Sequence, residues 1–189
     1  MSSSVVVHPP NSDHPSLTNA EFPIDKFMRK WHVIQSTLPM WKNKQDVTIT
    51  YSPIEQSAGP RRFLDIINYT SAKTGHSSEI KGVDTLNLDS KVDDPDSPSC
   101  IAARYKWRGS GLLFIASSKW QILGYGEDWA VTYFEKTLFT PAGLDIYASS
   151  PNGLSETLLN DIISKLKEVG DKVGQLAEQL FPVPIKALQ

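Results

Sequence analysis

The chain has 189 residues, a length that suits one domain with a core of its own. Its composition is ordinary, with 40% hydrophobic and 21% charged residues, and a net charge of −2 leaves no basic excess to draw phosphate, so nucleic acid is excluded as an expected partner. A single cysteine excludes an internal disulfide, and no apolar run approaches the ~20 residues that span a bilayer.

Residues 1–20 are rich in Ser, Pro, His and Asn and show no period, so they are expected as a flexible lead-in. His8 and His14 sit in it without the partners a metal site needs, and no metal is expected. The opening MSSSVVVHPP has no basic segment and only three consecutive valines, which reads as no signal peptide and predicts a cytoplasmic protein. Residues 22–28 predict a short helical or 3₁₀ turn that plugs one end of a barrel.

Strands follow. Residues 31–35 are the first. Val47-Thr48-Ile49-Thr50-Tyr51 alternates with period two, the mark of a half-buried strand. Residues 62–69 form a third, after a turn at 56–60 marked by Gly59-Pro60. Asn68-Tyr69-Thr70 matches a glycosylation sequon but lies in that strand. Residues 77–88 alternate weakly and give a fourth. The acidic stretch 89–99 brings Asp93, Asp94 and Asp96 close in sequence, but it lacks the central Gly and terminal Glu of a calcium loop and reads as a solvated connection. Cys100 has no assignable catalytic partner and reads as a half-buried thiol.

The clearest alternation comes next. Ile101, Ala103, Tyr105 and Trp107 share one face, and Ala102, Arg104, Lys106 and Arg108 the other. A turn at 109–111, strands at 112–116 and 119–125, a turn at 124–128, a strand at 129–134, a turn at 141–143 and a last strand at 144–148 complete the β region. Ser155 then fits a helix N-cap, with Leu154 and Leu159 as a hydrophobic staple. Leu158, Leu159, Ile162, Ile163, Leu166 and Val169 form one stripe, and Gly170 is placed to end the helix. Val173, Leu176, Ala177 and Leu180 continue a stripe as far as Phe181-Pro182. The predicted organisation is a flexible segment 1–20, a barrel 21–151, a helical segment 152–182 packed on it and a tail 183–189. The fold class is mainly β: an up-and-down antiparallel barrel of about eight strands, whose closure removes exposed edges, with a C-terminal helix outside.

Three stretches carry a resemblance to the lipocalins, within the calycin superfamily. Phe27-Met28-Arg29-Lys30-Trp31-His32-Val33 is similar to the family's opening Gly-x-Trp segment. Trp120 to Leu123 and Asp128 to Tyr133 are similar to its F–G hairpin. Leu144 to Pro151 is similar to the end of its last strand. The resemblance covers roughly residues 22–181 and implies that Trp31 plugs the closed end of a ligand-holding cup. The departures are specific: Arg29 stands where the family usually has Gly, Ser149 where it usually has an Arg over the plug, and the family's disulfides cannot form.

The expected interior aromatics are Tyr51, Phe63, Tyr69, Tyr105, Trp107, Trp129 and Tyr133, which offer apolar area with a few polar contacts. The expected partner is a small hydrophobic molecule, held by a monomer or weak homodimer without cofactor. No nucleophile elbow, metal cluster, phosphate loop or CxxC is present, which agrees with a carrier. The alternative is a cofactor-free isomerase or cyclase of a terpenoid or polyketide-type intermediate, in keeping with the intracellular calycin barrels of specialised metabolism that the resemblance brings in. Its candidate catalytic groups are Asp65, Tyr105 and Tyr133, with tyrosine hydroxyls serving a developing oxyanion. His32 and Arg104 fall on the outer face by alternation. Asp65 shares parity with Phe63, Ile67 and Tyr69, and both faces of its strand are so similarly apolar that the residues leave its direction open. A purely protein-interacting role through the barrel mouth or the helix is the third reading.

Overall fold

A computed structural model describes residues 4–55, 59–88, 94–111 and 117–186. Eight antiparallel strands close on themselves: β1 (Lys30–Ser36), β2 (Lys44–Pro53), β3 (Arg62–Ser71), β4 (Ser77–Leu86), β5 (Arg104–Gly109), β6 (Ser117–Tyr125), β7 (Trp129–Phe134) and β8 (Gly143–Ala148). Each pairs with the next, and β8 returns to β1 through Val33 opposite Tyr147 and Ser36 opposite Asp145. A short ninth strand, β9 (Phe181–Pro182), lies outside the barrel and pairs with the end of β1. Three helices complete the fold: α1 (Ile24–Phe27), α2 (Glu156–Val169) and α3 (Asp171–Ala177). None of them is long and apolar enough to cross a membrane.

Alternation sorts the wall into two cores. Trp31, Val33, Ile49, Tyr51, Phe63, Tyr105, Trp120 and Tyr147 turn inward and meet inside the barrel. Ile34, Leu123, Val131, Leu144 and Ile146 turn outward and meet Ile162 and Leu166 of α2 and Val173 and Leu176 of α3. Helix α2 forms where expected. The Ser155 hydroxyl accepts from Leu158 N at its start, and Gly170, at φ 76°, ends it in a conformation that favours glycine.

One end of the barrel is plugged. Phe27 of α1 packs on Trp31 with ring centroids 5.0 Å apart, and the Trp31 indole donates to the Phe27 carbonyl at 3.0 Å. Tyr51 and Phe22 close in from the same side. The opposite end carries the connections β1–β2, β3–β4 and β7–β8.

The first residues correct the sequence reading. From residue 4 onward they are laid along the wall rather than loose. His8 N donates to the Leu123 carbonyl, Asn11 N to the Gln121 side chain, and Arg104 bonds Ser12 and Asp13. Leu17 is buried, and Thr18 bridges Ile101. Composition hides this because the anchors are backbone groups and single side chains with no period. A second correction concerns residues 101–108: regular pairing starts at Arg104, and Ile101 makes only its bridge to Thr18. The expected strand 112–116 and the residue Asp93 lie outside the described residues.

Candidate binding site

The end of the barrel opposite the plug is the candidate cup. Ile67 and Tyr69 on β3, Ile80 on β4, Trp107 on β5 and Phe134 on β7 all turn inward by their pairing, yet all stay only partly buried. Inward-facing apolar side chains that solvent still reaches define a mouth. Gly82, directly opposite Asp65, leaves the space in which the Trp107 indole lies; a Cβ there would overlap its Nε1. At the rim the Lys44 ammonium stands 4.4 Å from the centroid of the Tyr69 ring. A depression of about 340 Å³ shares Tyr69 with that rim.

The floor of the cup is polar. Asp65 faces inward beside Tyr51, its direct partner on β2, which answers the question its strand left open. Asp84 of β4, opposite Phe63, meets it side chain to side chain. Both are buried, at 5% and 0% exposure. The Trp120 indole donates to Asp84 Oδ1 at 2.7 Å. Burial pushes Asp65 up to about 7, against its hydrogen bond from Asp84. Burial first, and the Asp65 charge second, push Asp84 well above the carboxylate range. The pair therefore keeps a proton at neutral pH, held on Asp84 and shared toward Asp65.

A second buried carboxyl, Asp145 on β8, accepts from the Ser36 hydroxyl and from Trp41 Nε1 at 3.3 Å. Burial raises it to about 7, opposed by those two bonds. Between the two acidic positions the Tyr51 and Tyr147 hydroxyls approach one another, and burial raises both. Buried side-chain atoms without a hydrogen-bond partner among the described residues include Asp65 Oδ1, Asp84 Oδ2 and Trp107 Nε1. These belong to side chains that face the interior.

The sequence-predicted residues separate into three groups. Tyr69 and Trp107 line the cup. Tyr51, Phe63 and Tyr105 lie below it in a continuous stack with Trp120, with centroids 4.8 to 5.6 Å apart. Tyr105 donates its hydroxyl to the Ala102 carbonyl, which commits the hydrogen that an oxyanion would need. Trp129 and Tyr133 are a correction: they point outward and pack under α2 and α3, away from Asp65 and Tyr105. Every residue from Trp129 to Tyr133 is buried, so both faces of β7 are apolar and the alternation has no polar side to read. Sequence reasoning missed Asp84, Asp145, Trp120, Tyr147 and Phe134. Asp84 shares parity with Ile80 and Leu86, the one signal in its strand.

His32 and Arg104 are on the outer face as alternation predicted. His32 is half-buried, and that burial lowers it. Cys100 is buried, which raises its thiol. No group of three metal-ligating side chains occurs among the described residues. Arg29, where glycine was the family's habit, places its guanidinium 5.5 Å from the Trp31 ring centroid. Ser149, where arginine was, instead donates to Asp128 at 2.8 Å.

No family model matches the sequence, and no curated protein matches it. Solved structures do. The siderocalin Ex-FABP, described as functioning through dual ligand specificities, superposes with a TM-score of 0.55 at 11% identity, over 84% of this chain and 94% of that one. The major allergen Per a 4 from cockroaches gives 0.60 at 8% identity, over 97% of both chains. With the closed eight-stranded barrel, these two likenesses show that this chain has a lipocalin-like fold.

Proposed function

We propose that the protein binds a small, largely apolar molecule in the end of the barrel opposite the plug. The observation that carries this reading is the set Ile67, Tyr69, Ile80, Trp107 and Phe134, turned inward yet open to solvent. Covering such a surface with an apolar ligand removes it from water at about 25 cal/mol per Å². The fold likeness supports the same reading, since cups of this architecture hold one small ligand. A carrier role follows without further chemistry.

Titration with nile red, a neutral apolar fluorophore, tests it. Saturable dye emission with quenching of tryptophan fluorescence is the expected result. Absence of saturable binding, together with no molecule retained in native mass spectrometry of protein from its own cells, would overturn the reading.

One observation favours a second reading, a cofactor-free isomerase or cyclase. The Asp65–Asp84 pair holds a proton at the floor of an apolar cup, where general acid–base chemistry is at home. Under this reading Asp65→Asn abolishes turnover of the retained molecule while nile red still binds. Unchanged turnover in that variant counts against it.

A further inference from the structure

We infer that the molecule held in the cup carries a primary ammonium group, which docks on the Asp65–Asp84 pair while its apolar body lies among Ile67, Tyr69, Ile80, Trp107 and Phe134. This deepens the binding reading above and rests on it.

The first argument is sign. Among the described residues, the charged side chains that turn inward from the strands are Asp65, Asp84 and Asp145, and the one basic group that reaches the interior, Arg61, meets the Tyr105 hydroxyl toward the plugged end. Lys44 stops at the rim over Tyr69. Lys81, Arg104, Lys106, Arg108 and Lys119 alternate to the outer face. Arg61 is not among the groups acting on Asp65 or Asp84, and a carboxyl pair without a cation of its own favours a cationic guest, repels an anionic one, and keeps its proton when empty.

The second argument is unused hydrogen-bonding capacity. Asp145 is served by Ser36 and Trp41, and Asp84 Oδ1 by Trp120. Asp65 Oδ1 and Asp84 Oδ2 receive nothing from backbone or other side chains, apart from the proton they share. Tyr147 Oη is fully buried beside them and is engaged by the Tyr51 hydroxyl and Thr132. Two carboxylate oxygens at one floor can each accept a hydrogen of a primary ammonium. A purely apolar ligand leaves both without a donor, and a buried polar group without a partner is unfavourable.

The third argument is the wall. Tyr51, Phe63, Tyr105 and Trp120 surround the pair with stacked and edge-on rings, and Trp107 covers it from above. Aromatic faces attract cations most where water is displaced. On binding, the ammonium takes the place of the shared proton, which leaves to solvent, so charge balances.

Isothermal titration with matched pairs tests the inference: phenethylamine against phenethyl alcohol, and hexylamine against hexanol. The amine of at least one pair is expected to bind about tenfold or more tightly than its alcohol, a gap of about 1.4 kcal/mol. Asp65→Asn is expected to close that gap while leaving the alcohol within about twofold, the loss of one buried charge partner being specific to the cation. If alcohols bind as tightly as amines, or if nile red binds and no amine does, the ammonium inference falls and the apolar cup stands. If neither nile red nor any probe binds, both fall. Should Asp65→Asn fail to fold, the comparison within the unmodified protein decides alone.

Discussion

Asp145 shows how a residue seated for architecture leaves a thermodynamic trace. Its carboxyl ordinarily titrates at 3.8 and is raised to about 7 in the folded chain, chiefly by burial. Between those values the folded state holds a proton that the unfolded state has released. The stabilising contribution is therefore full below pH 4 and is lost as pH rises to 7. Relative to Asp145→Asn, the native protein should gain stability toward acid by up to about 1.4 kcal/mol per pH unit across that window, read from urea melts at a series of pH values. A flat difference would refute it. Arg29 offers a smaller test: its cation over Trp31 makes Arg29→Ala cost about 0.5–1 kcal/mol, with a change in tryptophan emission. At this scale the sequence was half legible. Asp65 could be named, because a carboxyl amid apolar neighbours stands out. Its partner Asp84 could not, because pairing between β3 and β4, not spacing along the chain, brings them together.

Helix α2 was readable in full from its cap, stripe and terminal glycine, since each of those signals is local. Ser155→Ala should destabilise the protein by about 1 kcal/mol in a denaturant melt, the usual worth of an N-cap. Strand β7 was readable as a strand but not as an oriented one. Trp129 and Tyr133 belong to the core under α2 because Thr132 and Phe134 face inward opposite Ile122 and Trp120, which leaves the other parity of β7 outside. Both faces of that strand are buried, so the sequence has no polar side from which to read the direction. The same limit explains why the β7 residues could be counted as a strand while its lining was misassigned.

For the molecule as a whole, the closed barrel was legible because the strands alternate at regular spacing and a long amphipathic helix follows them. The attachment of the N-terminal segment was not, since Pro, Ser and His look alike whether bound or free. Its contacts give an expected outcome: the amides of His8 and Leu17, bonded to Leu123 O and His14 O, should exchange with deuterium at least about tenfold more slowly than an open chain. Coil-like exchange there would show the segment detached.

The seam between β1 and β8 joins His32 to Ala148, more than a hundred residues apart along the chain. Contacts that span so much sequence form late and slowly, because the loop must be closed before they stabilise anything. The cup has no floor until that seam shuts, since Tyr147 and Asp145 arrive with β8 while Asp65 and Asp84 come from the opposite wall. A guest molecule can therefore serve as a stopwatch for refolding: its capture marks the moment the cylinder becomes continuous, after the hairpins of β2, β3 and β4 have already paired.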